Sequence, residues 1–396
     1  LNGINCFLPS LKSNRNWGAG DLTDLTQFAS QLSQNTTFDF VALNPLHAIH
    51  NRTSYNTSPY SPLSIFTRNL LYLDIEAVPE FQVSNCAKRI ASTEAFQKQI
   101  ESLRNSEFVE YERVARIKIF FLRLLYRQFL RSDRSQLDGY VTQRGPWLTN
   151  YCTYMAFDRH FHRKNPDLWY WRQWPQPFQS PNSRESRQLA AHLRSSIDFY
   201  AYIEMRLEQQ LESAHNHILS SNYQLGLYQD LALATDRVGA DYWAYQDLFA
   251  PGVRVGSPPD DFNENGQDWG FPALHPQRHA DSGYIYFVES IRCAARHAGA
   301  IRFDHVMRLA RLYWIPDNMS ARDGAYVRDN FKDLLKILAL ESQRSNVVVI
   351  GEDLGTVPGY FRKALDDCGI LSYRLILFER SGIGFNAPSH YPQQSI

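Results

Sequence analysis

Cysteine is scarce in this 396-residue chain. The five residues (Cys6, Cys86, Cys152, Cys293 and Cys368) are odd in number, widely scattered and include no C-x-x-C pair. That excludes a disulfide framework or a zinc knuckle, and a reducing cytoplasm is the simplest setting. An excess of one charge is also lacking: 41 Lys and Arg balance 41 Asp and Glu. Neither nucleic acid nor an anionic membrane surface is therefore expected as the main partner. No apolar run approaches the about 18 residues that a membrane span needs. The greasiest stretch, 117–130, is broken by Lys118, Arg123 and Arg127. Internal repeats, low-complexity tracts, a glycine-rich phosphate loop and metal-ligand clusters are all absent, so no metal or organic cofactor is implied. No signal peptide is visible, and the chain begins at Leu1 without a methionine.

What is abundant is hydrophobic and aromatic. Hydrophobic residues make up 44% and charged residues 21%, the balance of a soluble globular chain. The 8 Trp, 22 Tyr and 24 Phe suit a neutral ligand with apolar faces, and equally an ordinary core. Length alone allows two or three domains at about 150 residues each, or one large α/β barrel.

Short apolar runs ending in polar or acidic residues recur at 3–9, 38–45, 225–231, 300–304, 347–352 and 372–379. Near-continuous hydrophobicity marks strands buried on both faces, as in parallel sheets. Helical patterns lie between them, over 21–32, 287–297 and 329–342. Strand and helix alternating in this order predict a (β/α)8 TIM-type barrel or an open parallel sheet. Six strands are countable and a closed barrel needs eight; residues 381–396 read as loop. The expectation is an α/β barrel truncated after about six strands.

The interval 85–220 differs. Val114, Ile117, Phe121, Leu124 and Leu125 share a helical face, as do Ile197, Ala201, Leu207 and Leu211. An aromatic knot, Trp169-Tyr170-Trp171-Arg172-Gln173-Trp174-Pro175, sits in a loop setting between them. The expected organisation is barrel strands 1–2 in 1–84, a helical insertion in 85–220, and strands 3–6 in 221–396.

Two acids occupy equivalent positions: Asp304 ends one buried run and Glu352 ends the next. Active sites of parallel barrels lie at the C-terminal ends of the strands. Neighbouring strands are about 4.8 Å apart, so two carboxylates there can approach the about 5–5.5 Å of a retaining glycosidase pair. The alternative is that either acid caps the following helix or pairs with an arginine. Arg302 lies two residues before Asp304, on the same side of the strand. A guanidinium so placed keeps Asp304 ionised and orients it, though a lone Arg-x-Asp also serves as a structural ion pair. His305 is a candidate partner for a sugar hydroxyl, or simply a structural residue. Asp353 is expected to face away from Glu352 and to cap the following turn.

These segments carry a resemblance. Ile301-Arg302-Phe303-Asp304-His305-Val306-Met307, followed by Arg311-Leu312-Tyr313-Trp314-Ile315-Pro316, resembles the nucleophile segment of the 4-α-glucanotransferases (amylomaltases or disproportionating enzymes, glycoside hydrolase family 77). Val349-Ile350-Gly351-Glu352-Asp353-Leu354-Gly355-Thr356-Val357-Pro358 looks like its acid/base segment. Gly256-Ser257-Pro258-Pro259-Asp260 with Gly266-Gln267-Asp268-Trp269-Gly270 is similar to its substrate-covering loop, expected over 251–272. Ser58-Pro59-Tyr60-Ser61-Pro62 and Asn16-Trp17-Gly18-Ala19-Gly20-Asp21 match loops after the second and first strands. Five motifs in family order make the likeness specific, and the long helical interval resembles the bacterial maltodextrin-utilising type.

The resemblance implies Asp304 as nucleophile of a covalent glucosyl-enzyme intermediate, Glu352 as general acid and then base, and Arg302 as the orienting group. Ser58, Tyr60, Asp236, Gln267, Trp269 and His305 match sugar contacts, with Asp236 alternatively a helix cap. It also implies α-1,4-glucan (maltodextrin) as donor and acceptor, glucose as the smallest product, no metal or cofactor, and a cytoplasmic protein. The family's third carboxylate, in a His-Asp motif after the seventh strand, has no counterpart after Glu379. The bacterial type also carries a β-rich region before the first strand, so a fragment of a longer gene product is expected. A hydrolytic α-amylase relative and a non-catalytic glucan-binding protein remain alternatives.

Overall fold

The structure is a computed structural model and describes residues 1–52, 57–132, 134–261, 263–355 and 357–396. Six parallel strands form one sheet: Gly3–Cys6, Phe40–Leu43, Gly226–Leu231, Ala300–Phe303, Val348–Gly351 and Leu371–Ser372. Each pairs in parallel with its predecessor in the chain. Spatial order thus equals chain order, without the reversal of a doubly wound sheet. The helices Leu22–Ser33, Arg194–Ser220, Ile285–Ala295, Phe331–Ser345 and Gly359–Asp367 each return the chain to the start of the next strand. The result is a half-barrel of TIM type.

Local chemistry sets these elements. Asp21 caps the first helix in a reciprocal capping box with Asp24, which satisfies amides that the first turn leaves free. Side chains along each strand alternate between two apolar layers. Val41, Leu227, Ile301, Phe303 and Val349 join the large core beneath the helices. Phe40, Tyr228, Ala300 and Ile350 form a smaller cluster on the inner face. That inner face changes character toward the C-terminal ends, where Asp230 and Arg302 follow Tyr228 and Ala300 at spacing two.

Between the second and third strands lie an antiparallel hairpin, His47–Ala48 with Ser64–Arg68, and the helices from Pro79–Val83 to Arg194–Ser220. Val114, Ile117, Phe121 and Leu125 are buried as their spacing predicts, with Leu124 half-buried. Trp171 and Trp174 of the aromatic knot are core residues; the Trp174 ring lies 5.2 Å from Phe161 and 5.4 Å from Tyr154.

Three segments differ from their sequence reading. The sixth strand is only Leu371–Ser372, because its neighbour ends at Gly351 and offers no partner beyond. Ile376, Leu377 and Phe378 are consequently exposed. The tail read as loop returns along the other edge, where Ser372 N donates to Gln394 O at 2.9 Å and Ile396 N to Ser372 O at 3.0 Å. The segment read as a covering loop holds two strands, Val253–Ser257 and Gln267–Phe271. They belong to a four-stranded antiparallel sheet completed by Arg311–Pro316 and Ala325–Arg328.

Asp353 does face away from Glu352, but it ties strands together instead of capping a turn. Its carboxylate, 1% exposed, accepts from Ser372 Oγ at 2.8 Å, Tyr373 N at 3.0 Å and Arg362 Nε at 3.0 Å. Arg362 is 39% exposed and is hydrated without its partner, so the cost of losing Asp353 is that of leaving the Ser372 hydroxyl and the Tyr373 amide unsatisfied, about 1–3 kcal/mol. Asp353→Ala is therefore expected to lower unfolding free energy by about 1–3 kcal/mol in urea titration. A loss within the about 0.5 kcal/mol of an ordinary surface change would contradict this role.

Candidate active site

Strand register decides which charges meet. Arg302 lies opposite Asp230 on one side and Ile350 on the other. Phe303 lies opposite Gly351, so Asp304 and Glu352 are the next residues on adjacent staves. Both line a cavity of about 480 Å³ whose walls include Ser58, Tyr60, Ser61, Leu233, Trp269, Phe271 and His305.

Beneath this cavity a guanidinium joins two carboxylates. Arg302 Nη1 lies 2.9 and 3.1 Å from the oxygens of Asp230 and 2.8 Å from Asp304 Oδ1. Tyr60 donates its hydroxyl to Asp230 Oδ2 at 2.7 Å and accepts from Asn44 Nδ2 at 3.4 Å. Burial opposes the charge on Arg302, but Asp230 and Asp304 outweigh it and raise the guanidinium's pKa. Burial pushes Asp230 up to about 7, with Arg302 pulling the other way. Asp304 is thus held in place through an arginine that is itself anchored from the neighbouring strand.

Glu352 is held differently. Its Oε2 accepts from His305 N at 3.0 Å and its Oε1 from Leu354 N at 2.9 Å. Burial raises the carboxyl's pKa and the charge of Asp304 adds to that, while the two amides and Arg302 oppose it. His305 takes a left-handed backbone (φ 48°) to aim its amide at Glu352, a conformation that non-glycine residues adopt uncommonly. Its imidazole, pushed down to about 4 by burial, is neutral at physiological pH. The ring stands edge-on to Trp269, with centroids 5.2 Å apart.

The structure therefore brings Asp304, Glu352, His305, Ser58, Tyr60 and Trp269 to one cavity, with Arg302 below. Gln267 is not part of the wall; its exposed side chain accepts from Trp269 Nε1 at 3.1 Å. Asp236 also stays outside, its Oδ1 accepting from Val238 N at 2.9 Å within a turn. Gly266 precedes the covering strand and Gly270 lies within it, both at positive φ. Thr356 of the acid/base segment lies outside the described residues. Sequence reading missed Asp230, Asn44 and Tyr373, whose ring lies 5.4 Å from the Arg302 guanidinium carbon. The one available signal was that Asp230, like Asp304 and Glu352, stands near the end of a buried apolar run. Among the described residues no group of His, Cys, Asp and Glu is placed to hold a metal ion.

A TIM-type half-barrel that brings two carboxylates and an aromatic wall to the C-terminal ends of adjacent staves has the form of the glycoside hydrolase barrels. Residues 6–396 match glycoside hydrolase family 77, described as 4-alpha-glucanotransferase, and the chain belongs to that family. It is 33% identical over 403 residues to the 4-alpha-glucanotransferase of Haemophilus influenzae, covering 99% of this chain and 58% of that protein. The corresponding enzyme of Mycobacterium tuberculosis is 33% identical over 389 residues, covering 96% and 52%. The crystal structure of amylomaltase from Corynebacterium glutamicum superposes with a TM-score of 0.86 at 30% identity, over 100% of this chain and 53% of that one. Amylomaltase from Streptococcus agalactiae, solved in complex with acarbose, shares the fold with a TM-score of 0.82 at 18% identity, over 100% and 77%. The chain spans a little over half the length of these first curated relatives.

Proposed function

We propose that this chain carries the catalytic half-barrel of a 4-α-glucanotransferase that moves α-1,4-glucan segments between maltodextrins. The observation that supports it best is the register of the two staves, which directs Asp304 and Glu352 into one aromatic-walled cavity. Asp304 attacks the anomeric carbon while Glu352, its pKa raised by burial, protonates the departing oxygen. The glucosyl unit is then held as an ester on Asp304. Glu352, now a base, deprotonates the 4-hydroxyl of an acceptor sugar, and the ester bond breaks as the new glycosidic bond forms. Arg302 orients the nucleophile. Ser58, Tyr60, His305 and Trp269 face the sugar, Gln267 reaches it through Trp269 at the rim, and Asp236 serves the adjoining turn.

Transfer requires that water, at about 55 M, lose to the acceptor, so the site must bind sugar and exclude solvent. The strand Gln267–Phe271 supplies that cover. Domain limits of 1–84, 85–220 and 221–396 are part of the same proposal, supported by all six staves arising outside 85–220. No helix among the described residues is long and apolar enough to cross a membrane, and a cytoplasmic location suits a maltodextrin-processing enzyme.

The test is the product pattern from maltotriose with the full-length protein. Glucose together with a ladder of chains longer than the substrate is expected. Only shorter products would instead indicate a hydrolase.

A further inference from the structure

The sixth stave is two residues long, yet its register carries a further residue to the level of the two candidate acids. Ile350 lies opposite Leu371 and Gly351 opposite Ser372. One residue beyond, Tyr373 falls in line with Glu352, in the row that also holds Asp304 on the stave before. Tyr373 does not line the cavity. Its ring instead lies against Arg302 in the row beneath, with the guanidinium carbon 5.4 Å from the ring centroid. The side chain is half-buried and packs against the inner-face cluster of Phe40, Tyr228, Ala300 and Ile350.

The backbone that carries this ring is fixed from the side facing away from Glu352. Buried Asp353 accepts from Tyr373 N at 3.0 Å and from Ser372 Oγ at 2.8 Å. Asp353 directly follows Glu352, so the stave of the acid/base is tied to the residue that carries the ring. Arg302 Nη1 lies 2.9 Å from Asp230 and 2.8 Å from Asp304, which fixes one nitrogen at the tip of a long side chain. An aromatic ring against the guanidinium restricts the rest of that tip. It also keeps water from one side of the Arg302–Asp304 pair, where a lower local dielectric strengthens their attraction.

We propose that Tyr373 is a positioning residue for the nucleophile: its ring, held in place by Asp353, keeps Arg302 on Asp304 while the ester forms and breaks. The inference rests on the reaction proposed above and adds a group outside the cavity on which its rate depends. The face of the ring is what Arg302 meets, so the phenol hydroxyl is dispensable.

The test uses the full-length protein and the turnover of maltotriose. A cation–π contact of this kind is worth about 3- to 30-fold in rate, so Tyr373→Leu is expected to lower kcat by about that range. KM should change by less than about twofold, because no sugar contact is removed. Tyr373→Phe should restore the wild-type rate. In an Arg302→Gln background, where the cation is gone, Tyr373→Leu should cost less than about twofold. If Tyr373→Leu does not fold, Tyr373→Met replaces it in both backgrounds. A raised KM at unchanged kcat, an equal loss in Tyr373→Phe, or full additivity with Arg302→Gln would overturn the proposal. Labelling of Asp304 by α-glucosyl fluoride in Glu352→Gln checks the underlying reaction separately. Labelling together with an undiminished kcat in Tyr373→Leu overturns the role of Tyr373 alone, whereas absence of labelling overturns the reaction.

Discussion

Replacing Asp304 with Asn in the full-length protein is expected to abolish turnover, by at least about 10⁴-fold in kcat, while maltodextrin affinity stays near that of the wild type. The amide preserves volume but cannot form the glycosyl ester. Arg302 keeps its partner Asp230, 2.9 Å away, so the strand ends should hold their geometry. The sugar contacts proposed for Tyr60, Trp269 and His305 do not depend on the nucleophile's charge. Calorimetric titration with maltodextrin, alongside glucose release, separates the two effects. Unchanged turnover would refute the nucleophile assignment, and loss of binding without loss of fold would place Asp304 among the sugar-binding groups.

The second large effect belongs to Glu352. General acid–base catalysis contributes about 10²–10⁴-fold, so Glu352→Gln is expected to slow maltotriose turnover by that range. An α-glucosyl fluoride needs little protonation of its leaving group, and the first step on that substrate should be largely spared. The pH dependence follows from burial, which raises this carboxyl's pKa. The acid must be protonated when the first bond breaks, so activity falls as pH rises through its pKa. A raised pKa extends the active range upward. The basic limb of kcat/KM should therefore lie above the ordinary carboxylate range and disappear in Glu352→Gln. An unaltered basic limb in the variant would assign that proton to another group.

Much of this arrangement is legible in the residues, and the rest is hidden for physical reasons. Strands such as Phe40–Leu43 and Val348–Gly351 announce themselves because both faces are largely buried, which leaves an unbroken apolar run. Asp304 and Glu352 stand out because an acid ends such a run. Asp230 carries the same mark, yet its importance depends on lying opposite Arg302, and register between distant strands is not written in either one. The covering sheet escaped notice because Gln267–Phe271 is short and largely exposed, with Gly270 at its bend, so the pattern reads as loop. The sixth stave is shorter than its sequence suggests because hydrophobicity in 373–379 continues past the point where neighbours offer hydrogen bonds. For Asp236 and Gln267 the only signal is a motif, which fixes neighbourhood but not the direction of a side chain.

The central claim is that Asp304 and Glu352 act on one glycosidic bond, the first as a nucleophile. The direct measurement is mass spectrometry of full-length Glu352→Gln after reaction with α-glucosyl fluoride. Loss of the base should let the ester accumulate, giving a single glucosyl addition on the peptide that contains Asp304. An adduct on a different residue, or continued release of product with Asp304 unmodified, would contradict the account.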